Sequence, residues 1–285
     1  MINNKINNLK ELPKITDRIS FLYLQCGRIE QDDFSVKYIT ETECVSIPCA
    51  NINVLLLGPG ITITHAAIVS ISQCRCLCVW CGEGNSKFYA IGQPMTHSSE
   101  HLLLQAEKYC DLEKRTNIAR KMYQKRFSPF NVEGQTIEQM RGAEGVRMKQ
   151  VYKKLSQIYK VPWHGRNYKV NDYEYSDDIN KAITYSNQIL YAVVQSVIVA
   201  LGFSPSIGFI YTGNVNSFVY DVADLYKSEI SLPVAFITVQ KIQSDNTKNL
   251  EKELRREMHY VIQKNNLLEH IITDLKDLFI EVNLK

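Results

Sequence analysis

Asp221 and Asp224 stand three residues apart in Ser217-Phe-Val-Tyr-Asp-Val-Ala-Asp-Leu-Tyr-Lys227. On a helix this spacing sets both carboxylates on one face near the amino-terminal end, with Phe218, Val222 and Leu225 on the opposite, buried side. Two chemistries fit. The carboxylates can complement the helix dipole, or they can hold a hard divalent cation, because Mg²⁺ and Mn²⁺ take a few carboxylate oxygens and keep water and substrate phosphate as their other ligands. A third acid, Glu144, lies between two glycines in Met140-Arg-Gly-Ala-Glu-Gly-Val-Arg147, within a segment of helical periodicity. Glycine there costs about 1 kcal/mol relative to alanine, which points to close approach of another backbone or of DNA. Among arginines Glu144 can serve only as a salt-bridge partner; meeting Asp221 and Asp224, it completes a metal site for phosphodiester chemistry. Spacing leaves both open.

Charge distribution bears on the substrate. The 285-residue chain has a net charge of +3, yet between Lys114 and Lys169 fourteen Lys and Arg, among them Arg141, Arg147 and Arg166, face three Glu, a local excess of +11. Such segregation suits a polyanion-binding face, and a solvated helical surface produces charge runs too. The stretch from Pro162 to Ser176 adds Trp163, Tyr168, Tyr173 and Tyr175 beside Arg166 and Lys169, a mix suited to stacking on bases and contacting phosphates or, more simply, to packing. No run approaches the ~20 apolar residues of a bilayer span, and the opening MINNKINNLKELPK lacks the apolar core of a signal peptide. The expectation is a soluble cytoplasmic protein with no membrane partner. Eight cysteines in a reducing compartment read as thiols, with Cys74, Cys76 and Cys78 on one face of a strand; zinc ligands usually come from two separated knuckles, so a zinc cage is the weaker reading.

These residues must be positioned by two kinds of element. Short β-branched runs at Ile19–Gln25, Phe34–Ile39, Cys44–Ile47, Val54–Leu57, Leu77–Trp80 and Lys87–Ile91 predict strands, with one helix at Thr64–Gln73 after a Gly58-Pro59-Gly60 turn. Beyond the polar stretch Gly92–Ser99, helical periodicity covers Glu100–Arg126, Thr136–Tyr159, Asp178–Leu201, Ser217–Ser228, Pro233–Ile242, Leu250–Lys264 and Leu267–Ile280. The predicted architecture is α+β, a small N-terminal β-rich domain (residues 1–95) followed by a larger all-α catalytic domain (96–285).

The order of motifs resembles the Cas-one (Cas1) family of CRISPR adaptation integrases, closest to its type I-E branch, nearly end to end. The resemblance rests on Asp17-Arg18 with Leu24-Gln25, Thr64-His65-Ala66-Ala67, Val79-Trp80 before Gly82-Glu83, Tyr89-Ala90-Ile91-Gly92-Gln93-Pro94, Arg141-Gly-Ala-Glu-Gly145, Trp163-His-Gly-Arg166 with Tyr168, Ile207-Gly208-Phe209 and Ser217-Phe-Val-Tyr-Asp-Val-Ala-Asp224. It implies a homodimer that assembles with the partner Cas-two (Cas2). The implied reaction joins the 3′ hydroxyls of a duplex with single-stranded 3′ ends to CRISPR repeat DNA by transesterification, with Mg²⁺ or Mn²⁺ as cofactor.

Carried onto this chain, the family's carboxylate ligands fall on Glu144 and Asp224, and Asp221 is an acid beside them. The third family ligand, a histidine, is here Tyr211. Tyr168, Tyr191 and Tyr220 match aromatic positions near the family's DNA ends, and Arg141, Arg147, Arg166 and Lys227 are the expected cationic contacts. Cys26 and Asn214 stand where relatives carry tyrosine and lysine, and Thr62 and Val69 where they carry arginines. Three functions follow as alternatives: the metal-dependent integrase; a DNA-binding scaffold of the same complex whose chemistry is weakened by Tyr211; and a nuclease for branched DNA that needs no partner.

Overall fold

A computed structural model describes residues 12–33, 35–82, 87–94, 98–126, 134–166, 177–245 and 247–279. It divides into two compact units, residues 1–97 and 98–285. The first is built on six strands, β1 (Leu22–Asp32), β2 (Ser35–Ile39), β3 (Cys44–Ile47), β4 (Val54–Ile63), β5 (Leu77–Cys81) and β6 (Phe88–Gly92), in the sheet order β3-β2-β1-β4-β5-β6. The central strands β1, β4 and β5 run parallel, and the outer pairings are antiparallel. Parallel neighbours need a crossover, supplied between β4 and β5 by α1 (His65–Gln73), whose start is fixed by the Thr64 hydroxyl accepting from the Ala67 N–H at 3.2 Å. Leu55, Leu57, Ile29, Val36 and Ile71 meet in the core beneath it.

Gly58-Pro59-Gly60 is not a turn. It lies inside β4, where Leu57 pairs with Leu24 and Gly60 with Cys26, so that Gly58 and Pro59 together oppose Gln25 in a bulge. A Cβ on Gly58 would stand 2.6 Å from the Gln25 carbonyl, and one on Gly60 2.6 Å from the Cys26 Cβ. The glycines serve close approach of β1, and Pro59 is tolerated because a bulge asks less of its missing N–H. The strand reading of the cysteines also changes. Cys74 ends α1 and Cys76 precedes β5, leaving only Cys78 and Cys81 in the strand; all four are buried, and all eight thiols of the chain are free.

The second unit contains α2 (Glu100–Cys110), α3 (Leu112–Arg126), α4 (Ile137–Tyr159), α5 (Asp178–Ala200), α6 (Ser217–Ala223), α7 (Ser231–Ser244), α8 (Leu250–Lys264) and α9 (Leu267–Phe279). The sheet-bearing first unit and the helical second unit are the α+β class read from the sequence. The single helix expected over 100–126 is two, because the Asp111 carboxylate accepts from the Glu113 and Lys114 N–H groups at 2.9 and 3.0 Å and starts α3 afresh. α5 is the hub, buried along most of its length against α6, α7, α8 and α9. Contrary to the sequence expectation, this 23-residue helix is long and apolar enough to span a bilayer, but 83% of its apolar window is buried inside the protein, as a core helix requires.

α6 ends at Ala223, five residues before the periodicity suggested, and Asp224 is its C-terminal boundary residue. An acid at that end opposes the helix dipole. Dipole complementation therefore does not account for Asp224, and its charge must be met by other groups.

Candidate functional site

The site is assembled from the ends of α3 and α6, the middle of α4, and the loop that precedes α6. Asp221 organises that loop. Its buried carboxylate accepts three backbone N–H bonds, from Phe209 (2.5 Å), Ile210 (3.0 Å) and Tyr211 (2.8 Å). Burial pushes its carboxyl up to about 7, while the three donors pull it down. The other side of the loop is held by Arg141, which donates to the Ile210 carbonyl at 2.8 Å, and by Arg115, which donates to the Phe209 carbonyl at 3.2 Å. Gly208 lets the chain double back, since a Cβ there would collide with the Tyr211 carbonyl and the Ser217 backbone. Asp221 thus acts as a positioning residue that sets the backbone carrying Tyr211.

Glu144 and Asp224 converge on one cationic atom. Arg126 Nη1 makes a short ion pair with Glu144 Oε1 and lies 3.4 Å from Asp224 Oδ2. The Tyr211 hydroxyl donates to the same Asp224 Oδ2 at 3.1 Å, and the Tyr123 hydroxyl donates to Glu144 Oε2 at 3.2 Å. On the outer side Lys227 Nζ stands 2.6 Å from Asp224 Oδ1 and 4.8 Å from the centre of the Tyr191 ring. Burial raises both phenols, and the nearby carboxylates, Asp224 for Tyr211 and Glu144 for Tyr123, push them further, so each is a neutral hydroxyl at pH 7. Burial lowers the Lys227 ammonium, but Asp224 and Tyr191 outweigh it and hold the group charged.

Two carboxylates turned toward one cation are a donor set that a hard divalent ion can use, and the Tyr211 oxygen adds a weaker third donor. Among the described residues no cluster of three His, Cys, Asp or Glu forms such a site.

Beside the carboxylates a cleft of ≈ 320 Å³ is lined by Arg166, Gln188, Tyr191, Tyr211, Tyr220 and Lys227, together with Thr184 and Asn187. Its aromatic wall is continuous. The Tyr191 and Tyr220 rings are 5.0 Å apart at 65°, and Tyr211 follows Tyr220 at 6.1 Å and 81°. Arg166 reaches the rim while donating to the Asn180 carbonyl and side chain, both at 3.0 Å, and to the Thr184 hydroxyl at 2.8 Å.

The structure therefore joins Glu144 and Asp224 through Arg126, sets Tyr211 and Lys227 on Asp224, and places Tyr191, Tyr220 and Arg166 along the adjoining cleft. Arg147 is half-buried on α4, within one turn of Glu144. Tyr168, with Tyr173 and Tyr175, lies outside the described residues. Trp163 packs on Tyr152 with ring centres 4.5 Å apart and planes 10° from parallel, so this member of the aromatic loop is used in packing. Gly142 and Gly145 have nothing within 4 Å of where a Cβ would be. Among the described residues no backbone approaches them, contrary to one of the two expectations.

Tyr123 and Arg126 escaped the sequence reading. Their spacing of three on α3 places them one turn apart on the face that meets Glu144. A Tyr-x-x-Arg pair in a basic helix carries no chemical signature of its own.

Residues 124–260 match the family model described as CRISPR associated protein Cas1. The chain is 39% identical to the CRISPR-associated endonuclease Cas1 2 of Thermus thermophilus, over 95% of this chain and 82% of that protein. It is 35% identical to the CRISPR-associated endonuclease Cas1 of Escherichia coli, over 92% of this chain and 85% of that one. Among solved structures, TtCas1 in a complex with DNA superposes with a TM-score of 0.80 at 35% identity, covering 93% of this chain and 94% of the other.

Proposed function

The chain belongs to the Cas1 family of CRISPR-associated proteins, and from that membership we propose that it is a metal-dependent DNA integrase and endonuclease of CRISPR adaptation. It acts in the cytoplasm as a homodimer with Cas2, joining the 3′ hydroxyl ends of short duplexes to CRISPR repeat DNA by transesterification. The observation that carries the reading is the convergence of Glu144 Oε1 and Asp224 Oδ2 on one cationic position at the edge of an aromatic, basic cleft. The solved complex of TtCas1 with DNA supports DNA as the ligand.

Glu144 and Asp224, with the Tyr211 oxygen, would hold the Mg²⁺ or Mn²⁺, which supplies Lewis-acid stabilisation of the scissile phosphate and the leaving oxygen. The other residues bind and orient. Tyr191 and Tyr220 offer faces for unpaired bases at the duplex end. Lys227, Arg166, Arg141 and Arg147 supply positive charge along the path of the phosphates, and Asp221 keeps the Tyr211 loop in register. No protein nucleophile is needed, because the attacking group is the DNA 3′ hydroxyl.

The direct test is joining of a labelled duplex into a repeat-bearing plasmid by this chain with Cas2, in Mg²⁺ and in Mn²⁺. Product is expected from 3′ hydroxyl ends and none from 3′ dideoxy ends; equal product from both sinks the transesterification reading. Cleavage of branched DNA that does not depend on Cas2 would favour the nuclease alternative.

The open space at Gly142 and Gly145 gives a second expectation. Alanine at either position relieves the helix of glycine's flexibility and should stabilise the free protein by roughly 0.5–1 kcal/mol. If DNA passes close to Glu144, the same methyls should weaken duplex binding severalfold. Thermal unfolding and a filter-binding titration of Gly145→Ala check the pair; a rise in stability with unchanged DNA affinity removes the close approach of DNA.

A second reading is favoured by one observation, the neutral Tyr211 phenol and the Arg126 guanidinium where ligand and metal are expected. On it the chain is a DNA-binding scaffold of the complex with weakened chemistry, showing salt-sensitive DNA binding and no strand joining in either metal.

A further inference from the structure

Three side chains in the site lie almost entirely out of water: exposure is 6% for Arg126, 12% for Glu144 and 7% for Asp224. Two buried carboxylates facing one another repel strongly at low dielectric unless a cation stands between them. Arg126 is that cation, its Nη1 contacting Glu144 Oε1 and lying 3.4 Å from Asp224 Oδ2. Lys227 is on Asp224 Oδ1, so the two acids are met by two bases and the charges of these four groups balance. A divalent ion added to this arrangement would leave a buried excess of two positive charges and would find the inward carboxylate oxygens already engaged.

We propose that Arg126 is the resident counter-cation of the Glu144–Asp224 pair, and that a divalent ion binds only by displacing it. The inference rests on the metal-dependent reading given above and adds a regulatory contact to it. Loading is an exchange of guanidinium for metal, with no bond made or broken other than coordination. Arg126 is the last residue of α3. Bridging both carboxylates makes the arginine an effective competitor, and this sets the metal affinity of the chain lower than its two acids alone would give.

The experiment is a Mn²⁺ titration of the full chain without DNA, followed by the electron paramagnetic resonance of free Mn²⁺, for the unaltered protein, Arg126→Gln, Arg126→Lys and Glu144→Gln. Arg126→Gln is expected to bind one Mn²⁺ at least tenfold more tightly than the unaltered chain, and Glu144→Gln to lose that site. Arg126→Lys, which keeps the charge on a shorter, flexible and more strongly hydrated ammonium, is expected to fall between and guards against a glutamine variant that does not fold. Thermal unfolding gives an independent readout. Metal-free Arg126→Gln should melt roughly 10 °C below the unaltered chain, and Mn²⁺ should restore most of the difference. Glu144-dependent binding of equal or lower affinity in both Arg126 variants overturns the exchange and leaves the metal reading standing. Absence of Glu144-dependent binding in every variant overturns both.

Discussion

Strand joining by Asp224→Asn is expected to fall about a thousandfold, and the metal-free variant to lose about 3 kcal/mol of stability. Asp224 is where the site's contacts meet: Arg126 and the Tyr211 hydroxyl on Oδ2, Lys227 on Oδ1. Asparagine keeps the shape and removes the charge, so the loss reports electrostatics and not a cavity. Lys227 would be left at 17% exposure with no other carboxylate paired to it among the described residues, which is the costly half of breaking a buried pair. Joining rates at saturating Mn²⁺ and urea unfolding in chelator measure the two effects separately. Joining within tenfold of the unaltered chain would remove Asp224 from the metal's ligands.

Tyr211→His should act in the opposite direction, raising Mn²⁺ affinity and joining by at least tenfold. The phenol is a neutral donor whose proton is committed to Asp224 Oδ2, so it would bind a metal only weakly while occupying a carboxylate oxygen the metal would use. Imidazole offers a nitrogen lone pair at neutral pH. Because Asp221 grips the loop through the backbone N–H of residues 209 to 211, the exchange alters the side chain and leaves its platform in place. Tyr211 is 38% exposed, which leaves space for the smaller ring. Joining by the histidine variant alone would establish the scaffold reading for the natural chain. Robust joining by both, without gain, would mean that two carboxylates suffice.

The fold class was legible because its signals are local. β-Branched runs mark the strands of the sheet, and helical periodicity marks α5 and the other helices of the second unit. Misreadings occurred where a local signal had two causes. Gly58-Pro59-Gly60 has turn chemistry but serves a bulge against Gln25, and Asp111 interrupts a continuous helical period by capping its own successors. Within the site, the types and spacing of Glu144, Asp221 and Asp224 advertise carboxylate chemistry, but their division of labour does not appear in sequence. Asp221 faces three backbone N–H groups while Asp224, three residues on, faces two cations, a difference set by where α6 ends. Arg126 was illegible for the same reason, since its part depends on α3 lying against α4.

The cysteine-rich interior of the sheet unit has a chemical consequence. Burial pushes the Cys49 and Cys78 thiols up to about 12 and raises Cys74 and Cys76 as well, so almost none of the reactive thiolate exists at neutral pH. Cys26, Cys44 and Cys110 are exposed. An oxidant or alkylating agent thus meets three sulfurs on the native surface and five more only when the sheet comes apart, which makes the count of modified sulfurs a built-in record of how often that unit opens.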